Sequence, residues 1–215
     1  MKTLYVSDLD GTLLRSNETT SEYTNNIINK LTDRGMIFSY ATARSLITAK
    51  KVTSGLRAEI PLIVYNGAFI VDNLTSEVLA ANYFDESVGL VLDDLFDSPE
   101  KLKPMYDKYK ETFHCVYQKD IYTDEQWLEI MPLEASKANA IKQLQKLLGC
   151  DRVVAFGDGR NDIDMFELAD ESYAVQNADE QLKKYATSFI SSNDEDGVAH
   201  WLEDNCIVQS SNDKE

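Results

Sequence analysis

Two aspartates one residue apart, Asp8 and Asp10, stand at the end of an apolar run in VSDLDGTLL (6–14). Like charges side by side repel, and each needs water, a proton or a cation if it is buried at all. An ordinary strand-to-helix turn calls for one capping carboxylate, not two. Other polar groups recur beside apolar stretches: Thr42 and Arg44 in YATARS, Asn66 in YNG, Lys137 in EASKANAI, and Asp158, Asn161 and Asp162 in GDGRND. Three or four carboxylates gathered in one crevice cannot all ionise unless a cation sits among them. Oxygen-only donors suit a hard ion, and Mg2+ accepts a few carboxylates while keeping waters and substrate oxygens. With Lys137 and Thr42, such an ion would make an electropositive cradle for a phosphate. Gly11 lets the backbone approach closely, and amides from Leu9 to Thr12 can donate to phosphate oxygens. Taken singly, each motif is ordinary. A DxD is usually a solvated loop, GDGRND a turn, SK a helix cap and Asn66-Gly67 a type I′-like turn. Their order, and their common place at strand ends, makes them a set.

The elements that must position them follow from periodicity. TLYVS (3–7) reads as a buried strand, and SEYTNNIINKLTDRG (21–35) as a helix with Tyr23, Ile27, Ile28 and Leu31 on one face. A strand at 36–41, a helix at 45–55 and a third strand at 61–65 continue the alternation, which indicates right-handed βαβ units and a parallel sheet. The alternation then breaks. A hairpin is expected at 68–72 and 76–82, then helices at 84–96 and 98–111, the second with Ser98 as cap, Pro99 at its first position and a distortion at Pro104. FHCVY and QWLEIM read as two more strands. After Pro132 the pattern returns: a helix at 136–149 ended by glycine, a strand at 152–156, a helix at 161–170, then SYAV, DEQLKKYA, SFI and DGVAHWLED. The expected architecture is α/β: a Rossmann-like parallel-sheet core, 1–82 plus 132–215, with a small inserted α+β unit at 83–131. Ligands of open α/β sheets collect at the carboxyl ends of the strands. That is where the acidic residues would meet.

Composition narrows the function class. At about 150 residues per domain, 215 residues make one domain or two small ones. The net charge of −16 argues against a nucleic-acid or acidic-membrane surface, but not against a small anionic substrate. No apolar run approaches the ~20 residues of a membrane span, and Asp8 and Asp10 interrupt any signal-peptide shape. Cys115, Cys150 and Cys206 show no paired or metal-ligand spacing, which suits a reducing cytoplasm. With only His114 and His200, a histidine-rich metal site is not expected.

Together the motifs resemble the haloacid dehalogenase superfamily of phosphohydrolases. DLDGT (8–12) is similar to its first motif, YATAR (40–44) to the second, Lys137 in EASKANAI to the third, and FGDGRNDIDM (156–165) to the fourth. The form of the fourth, and SNDEDGVAHWLE (192–203), resemble the Cof-like group with a type IIB cap. The resemblance implies a Mg2+-dependent phosphatase acting on a small phosphorylated metabolite through an aspartyl-phosphate. It makes Asp8 the nucleophile, Asp10 the general acid and then base, and Thr42, Lys137 and Asn161 phosphate ligands. Asp158 would bind metal beside Asp8 and the Asp10 carbonyl, with Asp162 holding the metal shell. Arg44 and Asn66 are candidate substrate contacts. No nucleic-acid or membrane partner is expected, and the chain is expected to be cytoplasmic, a monomer or homodimer. The insert is shorter than the group's usual cap, so loose substrate selection is expected, with apolar residues such as Val91, Leu95, Val116 and Trp127 left uncovered. Ala43 stands where the group commonly carries glycine, a change expected to be harmless. A phosphomutase and a phospho-accepting receiver module remain open alternatives.

Overall fold

A computed structural model describes residues 1–57, 61–84, 102–119 and 126–206. Its centre is a five-stranded parallel sheet in the order β10-β9-β8-β1-β2. The strands are β1 (Thr3–Ser7), β2 (Ile37–Tyr40), β8 (Arg152–Gly157), β9 (Glu171–Val175) and β10 (Ser188–Ile190). β1 and β8 are short apolar runs whose Leu4, Val6, Val153, Val154 and Phe156 are buried, the composition a sheet covered on both faces requires. α1 (Glu22–Thr32) pairs with α6 (Gly197–Asn205), α2 (Leu46–Val52) follows β2, and α4 (Lys137–Leu148) pairs with α5 (Ile163–Leu168). The chain leaves β1 toward β2 on one side and leaves β8 toward β9 on the other. Right-handed crossovers in opposite directions place helices on opposite faces, and the β1–β8 boundary is therefore the switch point where a crevice opens.

Local chemistry sets the element ends. Ser21 caps α1 by accepting from the Thr24 N–H at 2.9 Å, and Ile27, Ile28 and Leu31 bury its apolar face. α4 starts after the cap Ser136 and stops at Gly149, which takes the left-handed conformation that closes the helix. The segment 179–186 holds only one tight helical turn, Leu182–Tyr185.

The third strand, β3 (Leu62–Val64), is a correction to the sequence reading. It does not extend the parallel sheet as a full member. It meets the end of β2 through one parallel bridge, Ala41 to Ile63. Its other edge pairs antiparallel with β4 (Phe69–Val71), which pairs with β5 (Val78–Ala81). β3 has only three residues, and the bridge forms where β2 has already ended.

The inserted α+β unit contains α3 (Leu102–Tyr109) and an antiparallel hairpin, β6 (His114–Lys119) with β7 (Gln126–Met131). Pro104 lies in the first turn of α3 as described, where a missing N–H removes no intrahelical bond. The helix expected at 84–96 lies outside the described residues apart from Phe84, as do Ser98, Pro99, Val91 and Leu95. Trp127 is 53% exposed as expected, whereas Val116 packs beside a small apolar cluster of Ala68, Met131 and Ala135. Among the described residues, no helix is long and apolar enough to cross a membrane.

Candidate active site

β1 extends one residue into the crevice: the Asp8 N–H donates to the Phe156 carbonyl at 2.9 Å. The chain then makes a wide turn over Leu9–Leu13, closed by the Leu14 N–H on the Leu9 carbonyl at 2.8 Å, while buried Leu9 and Leu13 anchor it in the core. Gly11 takes φ +80°, and a Cβ there would overlap the Asp158 carboxylate, so the turn needs glycine for both reasons. Thr12 Oγ1 donates to Asp158 Oδ1 at 3.0 Å, joining the first strand end to the fourth. Asn177, which nothing in the sequence marks, donates from Nδ2 to the Gly11 carbonyl at 2.8 Å and accepts from the Asn193 N–H at 3.1 Å.

The second and third strand ends are stitched together. Thr42 is fully buried; its N–H donates to the Ile63 carbonyl at 3.0 Å, and its own carbonyl accepts from the Asn66 N–H at 2.9 Å. The Asn66-Gly67 step has left-handed backbone, φ +49° and +98°, as the turn reading requires. It also points the buried Asn66 side chain to the crevice, where Oδ1 accepts from Asn161 Nδ2 at 3.4 Å. A Cβ on Gly67 would strike the Ser136 carbonyl, so glycine lets β3 approach the start of α4. Arg44 contacts Asp10 from Nε at 2.8 and 3.0 Å and from an Nη at 2.6 Å, and reaches Glu18 at 3.1 Å. The candidate acid is thus held by a guanidinium that the sequence reading gave to substrate.

Lys137 occupies the first turn of α4, where the helix dipole disfavours a cation. Two carboxylates reverse the balance: its Nζ donates to Asp8 Oδ1 at 2.5 Å and to Asp162 Oδ1 at 2.6 Å. Asp162 Oδ2 accepts from the N–H groups of Asp158 and Gly159 at 3.0 and 3.1 Å. It therefore shapes the GDGRND loop and clamps the lysine at once. Lys137 is 1% exposed, Asp162 0% and Asp8 5%.

Oxygens of Asp8, Asp158 and Asp162 lie within 4.8 Å of one another. Burial pushes the Asp8 carboxyl well above its usual range; Lys137 pulls it back, while Asp162, Asp158 and Asp10 push it further up. Burial and then Asp162 raise Asp158 to about 7, against the pull of Thr12 and Lys137. Burial disfavours the Lys137 ammonium, but Asp162 and Asp8 outweigh it and its pKa rises. Three close carboxylates facing one ammonium are a site short of positive charge, and an all-oxygen donor set fits a hard divalent cation.

An open cleft of about 1000 Å³ runs from Asp158 and Asn161 to the inserted unit, where Tyr106, His114 and Tyr117 line it. Tyr106 stacks on Tyr117 with centroids 5.3 Å apart. The volume suits a metabolite-sized group. One further side chain reaches the strand ends from the insert: Glu129 Oε2 accepts from Asn66 Nδ2 at 2.5 Å. Sequence reading missed it, because Glu129 sits in an ordinary strand pattern with no motif around it.

Residues 5–89 and 85–202 match the haloacid dehalogenase-like hydrolase family, which accounts for most of the chain. The chain belongs to this family. A Buchnera aphidicola protein, provisionally named a phosphatase, is 27% identical over 96% of this haloacid dehalogenase-like chain and 97% of its own. A 5-amino-6-(5-phospho-D-ribitylamino)uracil phosphatase of Bacillus subtilis is 25% identical over 94% of this chain and 96% of its own. That alignment spans 264 positions, more than the 215 residues here, so the relative carries segments without a counterpart. A solved haloacid dehalogenase-like hydrolase from B. subtilis superposes with a TM-score of 0.80 at 21% identity, covering 94% of this chain and 99% of the other. The parallel-sheet core with an inserted α+β cap is therefore the family's fold, and this hydrolase carries its acidic cluster at the expected edge.

Proposed function

We propose that this hydrolase is a Mg2+-dependent phosphatase that removes phosphate from a small phosphorylated metabolite through an aspartyl-phosphate. The observation that carries the reading is Lys137 bridging Asp8 and Asp162 in a crevice where Thr12 also ties Asp158 to the first loop. The phosphatase names of the aligned relatives support it. Asp8 would attack phosphorus as its ester bond breaks, while Asp10 gives a proton to the leaving oxygen. Asp10 would then take a proton from water as that water attacks phosphorus, releasing phosphate and restoring Asp8. Splitting one displacement into two lowers each barrier. Thr42, Lys137, Asn161 and the amides of Leu9, Gly11 and Thr12 would hold the phosphoryl oxygens; Arg44 would position Asp10, and Asn66 would face the substrate. Mg2+ held by Asp8, Asp158 and Asp162, with the Asp10 carbonyl, would neutralise charge on these carboxylates and on the transferring group. The segment 83–131 would act as a shortened lid over the cleft.

Phosphate release from p-nitrophenyl phosphate and a panel of sugar monophosphates tests the reading. Turnover is expected with Mg2+, loss of turnover after metal removal in excess chelator, and inhibition by Ca2+, which favours more ligands at longer distance. Full activity without metal would contradict it.

A further inference from the structure

The hairpin of the cap has a defined inner face. Val116 lies opposite Glu129 and His114 opposite Met131 in the β6–β7 register, so these four share one face. Met131 packs with Ala68 and Ala135, and Val116 lies at the edge of that cluster. The contact turns the face toward the loop after β3. Two residues before Met131, Glu129 is held by Asn66, and Asn66 is held in turn by Asn161. Burial raises the Glu129 pKa, while the Asn66 hydrogen bond and the Lys137 charge lower it, so the carboxylate lies within electrostatic reach of the lysine. A carboxylate has about four lone-pair sites, of which Asn66 takes one.

We propose that Glu129 is a specificity-determining residue that sets the polarity of the leaving group. The inference rests on the phosphatase reading and adds a substrate class to it: neutral, hydroxyl- or N–H-bearing monophosphate esters. Glu129 reaches from the inner face of the hairpin to Asn66, which is one hydrogen bond from Asn161 in the lining of the cleft. There it accepts hydrogen bonds from donors flanking the ester oxygen and repels a second anion in the same place. Hydrogen bonds to a charged partner, and like charges brought together without water, each change recognition by about tenfold or more.

The test compares sn-glycerol 3-phosphate, whose flanking groups are hydroxyls, with phosphoglycolate, whose flanking group is a carboxylate. The ratio of their kcat/KM values is the readout, in Mg2+ and with melting curves to check folding. The native protein is expected to favour the glycerol ester. Glu129→Gln should lower the ratio about tenfold, and Glu129→Lys should reverse the preference. Met131→Ala loosens the seat of the hairpin without altering the carboxylate; it should weaken both substrates together and leave the ratio unchanged. If Glu129→Gln moved both substrates equally, or neither, the assigned role would be overturned while the phosphatase reading stood. If the native protein released phosphate from neither ester nor from p-nitrophenyl phosphate, the phosphatase reading would fail and take this role with it. A Glu129→Lys protein that did not fold would leave Glu129→Gln to decide.

Discussion

The strand-end crevice and the cap hairpin are built to different standards. In the crevice, Lys137, Asp8 and Asp162 are almost wholly buried, and Lys137 and Asp162 each make two or more hydrogen bonds. Its four loops also hold one another, through Thr12 to Asp158, Thr42 to Asn66 and Asn66 to Asn161. The hairpin rests on a small contact of Ala68, Met131 and Ala135, with Trp127 half exposed and Glu129 reaching across. Buried charges that have several partners form a preorganised site, because no solvent or side chain must rearrange when charge moves. Among the described residues the hairpin's apolar seat on the core is small, and so slight a cover would give few contacts to a leaving group. Binding energy from such contacts is what separates one substrate from another. Chemistry is thus assigned to the rigid part and selection to the slight one.

Substitutions can break this contrast. The largest combined effect on stability and rate is expected at Lys137→Met, which leaves Asp8 and Asp162 without their ammonium. The metal-free variant should lose about 3–5 kcal/mol of stability in urea unfolding, and kcat with Mg2+ should fall about a thousandfold. A variant with native kcat would show that the crevice is not organised around the lysine. On the cap side, kcat/KM across a panel of unrelated small monoesters should stay within about a thousandfold, as loose selection requires. A single metabolite preferred by more than that would mean that the hairpin selects better than its contacts imply.

The smallest effect sharpens the contrast from within the core. Asp196, not one of the three clustered carboxylates, holds Arg15 and Thr24 and sits in left-handed backbone that asparagine tolerates. Burial opposes its ionisation, but hydrogen bonds from Arg15, Ser21 and Thr24 outweigh this and hold its pKa below 3.8. A carboxylate depressed in the folded state adds stability above the unfolded pKa and loses it as pH falls through the folded one. Asp196→Asn should therefore cost about 1 kcal/mol at pH 7, since Arg15 is partly exposed. The gap to the native protein should close as pH drops below 3.8, as read from thermal melts. A gap that stayed constant with pH would mean that shape, not charge, holds that junction.

Much of the crevice was legible because its residues lie next to the strands that deliver them. Asp8 follows β1, Thr42 and Asn66 follow β2 and β3, and Lys137 follows a helix cap that the Ser136 type announces. What escaped detection depends on distant partners. Glu129 meets Asn66 across 63 residues, and Asn177 meets Gly11 across 166. Neither has a local pattern to betray it, since one reads as strand alternation and the other as loop. Asp162 was read as part of a metal shell; its clamp on Lys137 and two backbone amides appears only when the loop is folded. β3 was read into the parallel sheet because a buried apolar run looks the same in either sheet. Only its shortness and the partner on its other edge decide the matter.

The central claim, that Asp8 is the nucleophile of a phosphatase, is tested most directly by Asp8→Asn in the presence of saturating Mg2+. An amide cannot attack phosphorus, and no other carboxylate occupies the same place at the end of β1. The account predicts a fall in kcat of at least about a thousandfold, with a cooperative melt showing that the fold is intact. A folded Asp8→Asn protein that kept more than about a few per cent of native kcat would contradict it.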